Sequence, residues 1–334
     1  MGASLENECY REQGILVTGG SGFIGSNVLS QLLAVGVKPS ALCRSAASAS
    51  RVPESVELRY GDVKCQNDLN AALIGIKAVI HCAAAMSGAW GDFFETTVMG
   101  TQNLLNSILE NGTGRLIYVS SLGVLDYSAF GDGDLVDESS RLEAQPVMRG
   151  HYTRAKVEAE RMVEQFAAEH SEVEVVIIRP GLVYGDGVNA CLRNSGVVLG
   201  RAVLVFGMGG RYLGLNSVEN LSKLISGLVL KDDVRGVGIV NAVDSEQPIV
   251  RTYIKAYNEF SMRKVFPIYI PIFIWRCIFK IADTVLMLVN KKLYLSHKFN
   301  SNSKVLCYSN VKSKVVCANF VEVEYRDVLK DSVN

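Results

Sequence analysis

Thr18-Gly19-Gly20-Ser21-Gly22-Phe23-Ile24-Gly25 is the stretch that decides how this chain folds. Before it stands a compact apolar run, Ile15–Thr18, and after it a helical pattern runs from Phe23 to Val35. A glycine triplet with this spacing, between a strand and a helix, is the context of a dinucleotide-binding turn. Gly19 permits the tight turn, and Gly22 lets backbone approach a pyrophosphate seated on the helix N-terminus. Gly25 allows close helix–strand packing, and Phe23 and Ile24 complete the cradle.

Working outward, Ala41–Arg44, Val56–Tyr60, Ala78–Cys82, Leu116–Ser120 and Val173–Ile178 read as further strands. Helical stretches lie near 67–74, 93–110 and 151–169. Continuous apolar strands separated by helices require a parallel sheet buried on both faces, which gives an α/β, Rossmann-type doubly wound fold. The expected division is an extension over 1–13, an NAD(P)-binding domain with the catalytic residues over 14–180, and a smaller substrate-binding region over 181–334. That last region includes a returning part of the core. Segments 187–215 and 235–250 read as Gly-rich loops, with a helical stretch at 218–231 between them.

At the end of the second strand stands Leu42-Cys43-Arg44-Ser45, where an acidic residue would hold a ribose 2′-hydroxyl and an Arg would accommodate a 2′-phosphate. Arg44 and Ser45 therefore favour NADP over NAD. Asp62, next to Val63, is placed to accept from an adenine amino group, or else to cap a turn. After the fourth strand, Ala83 and Ala84 offer small side chains against which a cofactor can lie.

Tyr152 and Lys156 sit at i and i+4, on one helix face. A nearby ammonium favours tyrosinate and lowers the phenol pKa, which suits Tyr152 to acid/base work. Ser120 and Ser121 end the fifth strand at the carboxyl edge of the sheet, and Ser121 is the better placed to hold a substrate oxygen, with Ser120 as an inward-pointing alternative.

TGGSGFIG, GDV, HCAAA, VSS, YTRAK and RPGLVYGDG occur in one order over residues 14–245, and in that order the chain resembles the extended short-chain dehydrogenases/reductases, NAD(P)-dependent epimerase/dehydratase group. The resemblance implies that Ser121, Tyr152 and Lys156 form the catalytic triad. It implies that Lys156 also binds the nicotinamide ribose and that Pro180 and Val183 border the nicotinamide. It also implies a homodimer through the helices near 93–110 and 151–169. Two positions depart from the family pattern: Thr97 stands where Asn is common, and Leu125-Asp126-Tyr127 replaces a Val-Tyr-Gly continuation.

Arg179–Ile225 resembles nucleotide-sugar epimerases and 4-keto-sugar reductases of surface-polysaccharide pathways. A sugar diphosphate needs cations and amide donors, for which Asn189, Arg193 and Arg211 are the candidates, alongside Ser121. The expected function is hydride transfer at a sugar carbon. The alternatives are a hydroxysteroid- or dihydroflavonol-type reductase on an apolar substrate, and a non-catalytic dinucleotide-binding regulator, against which the intact triad argues.

Composition bounds these readings. Of 334 residues 49% are apolar, and 34 basic side chains balance 34 acidic ones, which argues against a nucleic-acid binder held by bulk charge. The balance conceals an asymmetry: residues 262–334 hold 12 Lys and Arg against 5 Asp and Glu, a net of +7, and the rest carries −7. The eight cysteines form no CxxC pair, so no metal site is expected. The polar start MGASLENECYREQG holds no signal core, and a cytoplasmic protein with reduced thiols is the expectation.

Residues 265–289 contain 19 apolar residues of 25, but two prolines break the first third, and Arg276, Lys280 and Asp283 share one helix face. Three charges at mid-span are costly in lipid. An amphipathic helix over about 272–289 follows, either packed on the protein's own core or lying at the inner face of a membrane, helped by Lys291 and Lys292.

Overall fold

The computed structural model describes residues 14–185, 191–288, 293–316 and 321–332. The expected extension over 1–13, Asn189, Lys291 and Lys292 lie outside the described residues.

Seven strands form the main sheet: β1 (Gly14–Thr18), β2 (Ser40–Cys43), β3 (Glu57–Tyr60), β4 (Ile76–His81), β5 (Arg115–Val119), β6 (Glu174–Pro180) and β7 (Gly238–Ala242). Their order is β7-β6-β5-β4-β1-β2-β3 and every pairing is parallel. Helices α1 (Phe23–Ala34), α2 (Gln66–Ala72), α3 (Gly100–Asn111), α4 (His151–Glu169) and α5 (Val218–Val229) cover it.

The period-2 alternation of each strand feeds two separate cores. Ile15 and Val17 of β1, Ala78 and Ile80 of β4, and Ile117 and Val119 of β5 face α1 and α5, through Leu29, Leu32, Leu221 and Leu228. Leu16, Val79, Leu116 and Tyr118 face the other way, onto Leu69, Leu104, Ile108, Val163 and Phe166 of α2, α3 and α4. That double burial is why these strands read as unbroken apolar runs.

The sheet reverses its winding beside β1, between β1 and β4, so the carboxyl ends of these strands open a crevice there. Into it project the ends of β1, β4 and β5, together with the start of α4.

Past β6 the chain builds a second layer. The strands Gly196–Leu199, Ala202–Phe206 and Phe266–Ile270 form a three-stranded sheet, and Leu182–Tyr184 pairs with Leu215–Ser217. Helices α6 (Val250–Phe260), α7 (Ile272–Leu288), α8 (Leu295–Asn302) and α9 (Tyr325–Ser332) complete it.

The expectation of loops over 187–215 and 235–250 is corrected on this point. Val197, Leu199, Ala202 and Leu204 pair across the two-residue link Gly200-Arg201, with Gly200 at φ +60°, so the glycine closes a hairpin there. Gly238–Ala242 is the edge strand β7 of the main sheet.

Candidate active site

A cavity of about 890 Å³ occupies the crevice, lined by Gly19, Gly22, Phe23, Ile24 and Gly25 and also by Ser121, Tyr152 and Lys156. Arg44, Val63, Ala83, Ala84 and Val183 also line it. Pro180 ends β6 just before the lining residues Gly181 and Leu182.

The glycine turn fits a dinucleotide for different reasons at each position. Gly19 adopts φ +70°, and a Cβ there would lie 2.7 Å from the Ala83 nitrogen. A Cβ on Gly25 would lie 2.3 Å from the Gly19 oxygen. Packing within the protein therefore dictates both glycines. A Cβ on Gly22 would meet only the Gly19 oxygen, at 3.2 Å, so the bare backbone there is left for something else to approach. Gly22 caps α1 without any side-chain bond, and no acidic residue stands in its first turn. The first N–H groups of α1 are thus open to an anionic ligand.

Behind the turn a polar chain fixes the wall. Thr101 Oγ1 donates to the Thr97 carbonyl at 2.6 Å, so it accepts from His81 Nε2 at 3.3 Å. That leaves His81 Nδ1 to accept from Thr18 Oγ1 at 2.7 Å. Burial and the Lys156 charge push His81 down to about 3, in keeping with this neutral tautomer. Thr97, one of the departures from the family pattern, accepts from the Ala85 nitrogen at 3.0 Å and ties the wall in place. It sits in a π-turn, Phe94–Met99, within what the sequence reads as one helix. The other departure is folded inward: Tyr127 is buried and its hydroxyl donates to the Leu122 carbonyl at 2.9 Å.

Tyr152 lines the cavity beside Ser121, whose Oγ accepts from the Gly123 nitrogen at 3.0 Å. The expected lowering of the Tyr152 phenol by Lys156 is corrected. Burial pushes that phenol above its usual value, and the neighbouring Ser121 hydroxyl works against the rise. Lys156 Nζ points to the end of β5, donating to the Val119 carbonyl at 2.8 Å, and burial brings its pKa down to about 8.

Ser120 faces inward and donates to Glu160, which is fully buried. Glu160 is held by Arg179 Nε at 2.7 Å. This pair was not among the expected residues. The signal was present, because Tyr152, Lys156 and Glu160 repeat at i, i+4 and i+8 on one helix face.

Other expected residues fall elsewhere. Asp62 does not line the cavity; its Oδ1 accepts from the Lys64 nitrogen at 3.0 Å, the turn-capping alternative. Ser45 Oγ accepts from the Ser48 nitrogen at 3.3 Å as a helix cap, leaving Arg44 as the exposed cation at that end. Arg193 is exposed outside the cavity lining. Arg211 is outside it too, donating to the Asn194 carbonyl beside Tyr127 and Tyr308, while its buried Nε has no partner among the described residues.

The second layer is anchored by Asp244. Its carboxylate accepts from Ser217 N at 2.8 Å, Asn220 Nδ2 at 2.9 Å, Asn216 Nδ2 at 3.2 Å and Tyr184 Oη at 3.2 Å. Burial pushes its pKa up to about 6.

Known proteins resemble this chain in sequence and fold. The family described as NAD dependent epimerase/dehydratase matches residues 15–207. A UDP-glucose 4-epimerase of Vibrio cholerae is 32% identical over 53% of this chain and 53% of its own length. A 3-beta-hydroxysteroid dehydrogenase of Mycolicibacterium neoaurum is 28% identical over 65% of this chain and 60% of its own length. The match thus spans about half to two thirds of the curated relatives' length.

Among solved structures, gox2253 superposes with a TM-score of 0.79 at 20% identity, covering 96% of this chain and 97% of its own. MoeE5 in complex with UDP-glucose and NAD does so with a TM-score of 0.70 at 20% identity and the same coverage. The match over 15–207, with the sheet order and the glycine turn, shows that this chain belongs to the NAD-dependent epimerase/dehydratase family of extended short-chain dehydrogenases/reductases.

Proposed function

We propose that the protein is an NAD(P)-dependent oxidoreductase or epimerase acting at a carbon of a nucleotide-activated sugar, in surface-polysaccharide biosynthesis. The observation that carries this reading is that Ser121, Tyr152 and Lys156 line the same cavity as the glycine turn.

The α1 N-terminus and Gly22 hold the pyrophosphate, Ala83 and Ala84 give it a close wall, and Val183 borders the nicotinamide end. Arg44 takes the 2′-phosphate of NADP. Support for that preference is the absence of an acidic side chain from the described lining near Arg44, where Val63 and Lys64 stand instead. The nicotinamide, when bound, supplies or accepts the hydride. Tyr152 gives or takes the proton of the substrate hydroxyl, and Ser121 holds the same oxygen. Lys156, charged below about pH 8, binds the nicotinamide ribose.

The nucleotide-sugar class is supported by the fold shared with the MoeE5 complexes with UDP-glucose and UDP-glucuronic acid. Arg211, with its unpartnered Nε, is the candidate for the sugar diphosphate; Arg193 and Asn189 stand in the adjoining stretch. A homodimer through the helices near 93–110 and 151–169 belongs with this reading, and Phe94, Met99 and Leu109 are partly exposed there. Cys43, Cys65, Cys82, Cys277 and Cys307 are unpaired, which suits a cytoplasmic site. A second reading, a reductase or dehydrogenase on an apolar hydroxysteroid- or flavonol-type substrate, is favoured by the steroid dehydrogenases among the relatives.

The test is turnover with UDP-glucose, UDP-glucuronic acid and a 4-keto-sugar nucleotide. Isomerised sugar with bound, unconsumed NAD(H) makes it an epimerase; one NADPH oxidised per keto-sugar makes it a reductase. Turnover of a hydroxysteroid alone overturns the sugar assignment.

A further inference from the structure

Helix α7 has two apolar faces and buries one. On the inner face, Trp275 donates from Nε1 to the Val205 carbonyl at 3.1 Å and stacks on Phe279, against Phe206 and Phe299. On another face Ile274, Ile278, Ile281, Val285 and Leu288 follow each other at spacings of 4, 3, 4 and 3, and all are exposed, from 38% to 81%. The small sheet continues the pattern. Strand register places Leu199, Phe266 and Ile268 on the same sheet face as Phe206, and each of the three is about half exposed or more. Single exposed apolar residues are ordinary, whereas a concentration of this size marks a docking surface.

The charge around this surface has one sign. Residues 262–304 contain eight Lys and Arg and a single acid, Asp283. That acid is turned inward to cap α8, accepting from the Leu295 nitrogen at 2.7 Å and the Ser296 nitrogen at 2.8 Å. Arg276 and Lys280 form no ion pair among the described residues. With Ser296 and Asn300 they line an open groove of about 470 Å³ between α7 and α8. Ser296 Oγ is buried without a partner among the described residues. Arg276 and Lys280 thus bring two cations to this groove, and cations suit a phosphate, which offers acceptors alone.

No helix among the described residues is long and apolar enough to cross a membrane. The 17 residues of α7 span about 25 Å, short of a bilayer core of about 30 Å. We propose that this face docks on an anionic phospholipid surface, with α7 in the plane of the interface. The stripe from Ile274 to Leu288 enters the acyl boundary, and a lipid phosphate sits in the Arg276–Lys280 groove. The 4-3-4-3 spacing also suits a helix of a second copy. The charge argues for lipid, because a two-fold contact would set this cationic segment against itself.

Flotation with phosphatidylcholine vesicles, with and without phosphatidylglycerol, tests this. Wild type binds the anionic vesicles at least about tenfold better than the neutral ones, at about 1 kcal/mol per basic residue near the surface. The paired substitution Ile278→Glu with Ile281→Glu abolishes flotation, and Arg276→Gln with Lys280→Gln weakens it about tenfold or more. Both pairs keep wild-type NADP(H) binding and circular dichroism, which shows the fold intact. Three results overturn the proposal: wild type that stays off anionic vesicles, Glu variants that float like wild type, or a wild-type dimer that the Glu variants split without any flotation. This proposal is independent of the sugar assignment, since neither variant touches the cavity.

Discussion

Strand β1 and helix α7 are both rich in apolar side chains, and they meet water differently. Ile15, Leu16 and Val17 are fully buried, alternate side chains serving two cores. Of the 17 residues of α7, Trp275 is the one buried. In the sheet, apolar content is converted into stability and holds the ends of β1, β4 and β5 where chemistry is done. In α7 most of it remains as surface. High hydropathy in the two stretches therefore has two meanings, and only the pattern of partners separates them.

The widest expected gap between the two regions is in the cost of substitution. Leu29→Ala, beneath the sheet, should cost about 2–5 kcal/mol in urea unfolding, and Glu160→Ala about 1–3 kcal/mol, because it leaves the buried Arg179 with only the more distant Glu164 carboxylate, at 3.5 Å. A loss below about 1 kcal/mol for either would break the contrast.

Asp244→Asn comes next, at about 1–3 kcal/mol, since donors that faced a carboxylate then face an amide. The sign with pH is definite. Asp244 binds its proton with a pKa of about 6 when folded, against about 3.9 for an ordinary Asp. Its contribution to stability therefore grows as pH falls from about 6 to about 4. The Asn variant should lack that slope, and an unchanged slope would remove Asp244 as its source.

Arg44→Ala should weaken NADP about tenfold and leave NAD nearly unchanged, by the loss of one charge-assisted contact. Equal effects on both would remove the 2′-phosphate role. The smallest effect is expected on α7, where Ile281→Ser should change stability by less than about 0.5 kcal/mol. A loss like that of Leu29→Ala would mean the stripe is covered within the protein.

The fold was legible wherever burial imposed a period. β3 (Glu57–Tyr60) is a largely exposed edge strand, whereas strands β1, β2, β4, β5 and β6 could be read because parallel strands covered on both faces must be apolar, and helix 151–169 by its period. β7 and the hairpin around Gly200 were not, because glycine content looks the same in a loop and in a tight turn. At the site, the glycine turn and the Tyr152–Lys156 spacing are local and could be found. Glu160 and Arg179 meet across 19 positions, and His81 meets Thr18 across 63, so only folding reveals those bonds. Ser45 stands where a ligand phosphate could be met yet caps a helix, and of the two roles open to Asp62 the turn cap holds, since such residues satisfy backbone donors equally well.

Tyr152→Phe, assayed for turnover and for cofactor affinity on one preparation, separates chemistry from assembly. Removal of the hydroxyl that carries the proton should lower kcat at least about 100-fold, with the dissociation constant for NADP or NAD unchanged within about twofold, a difference under about 0.5 kcal/mol. A variant that turns over at a rate near wild type, while still binding cofactor, would contradict the assignment of Tyr152 as the acid/base.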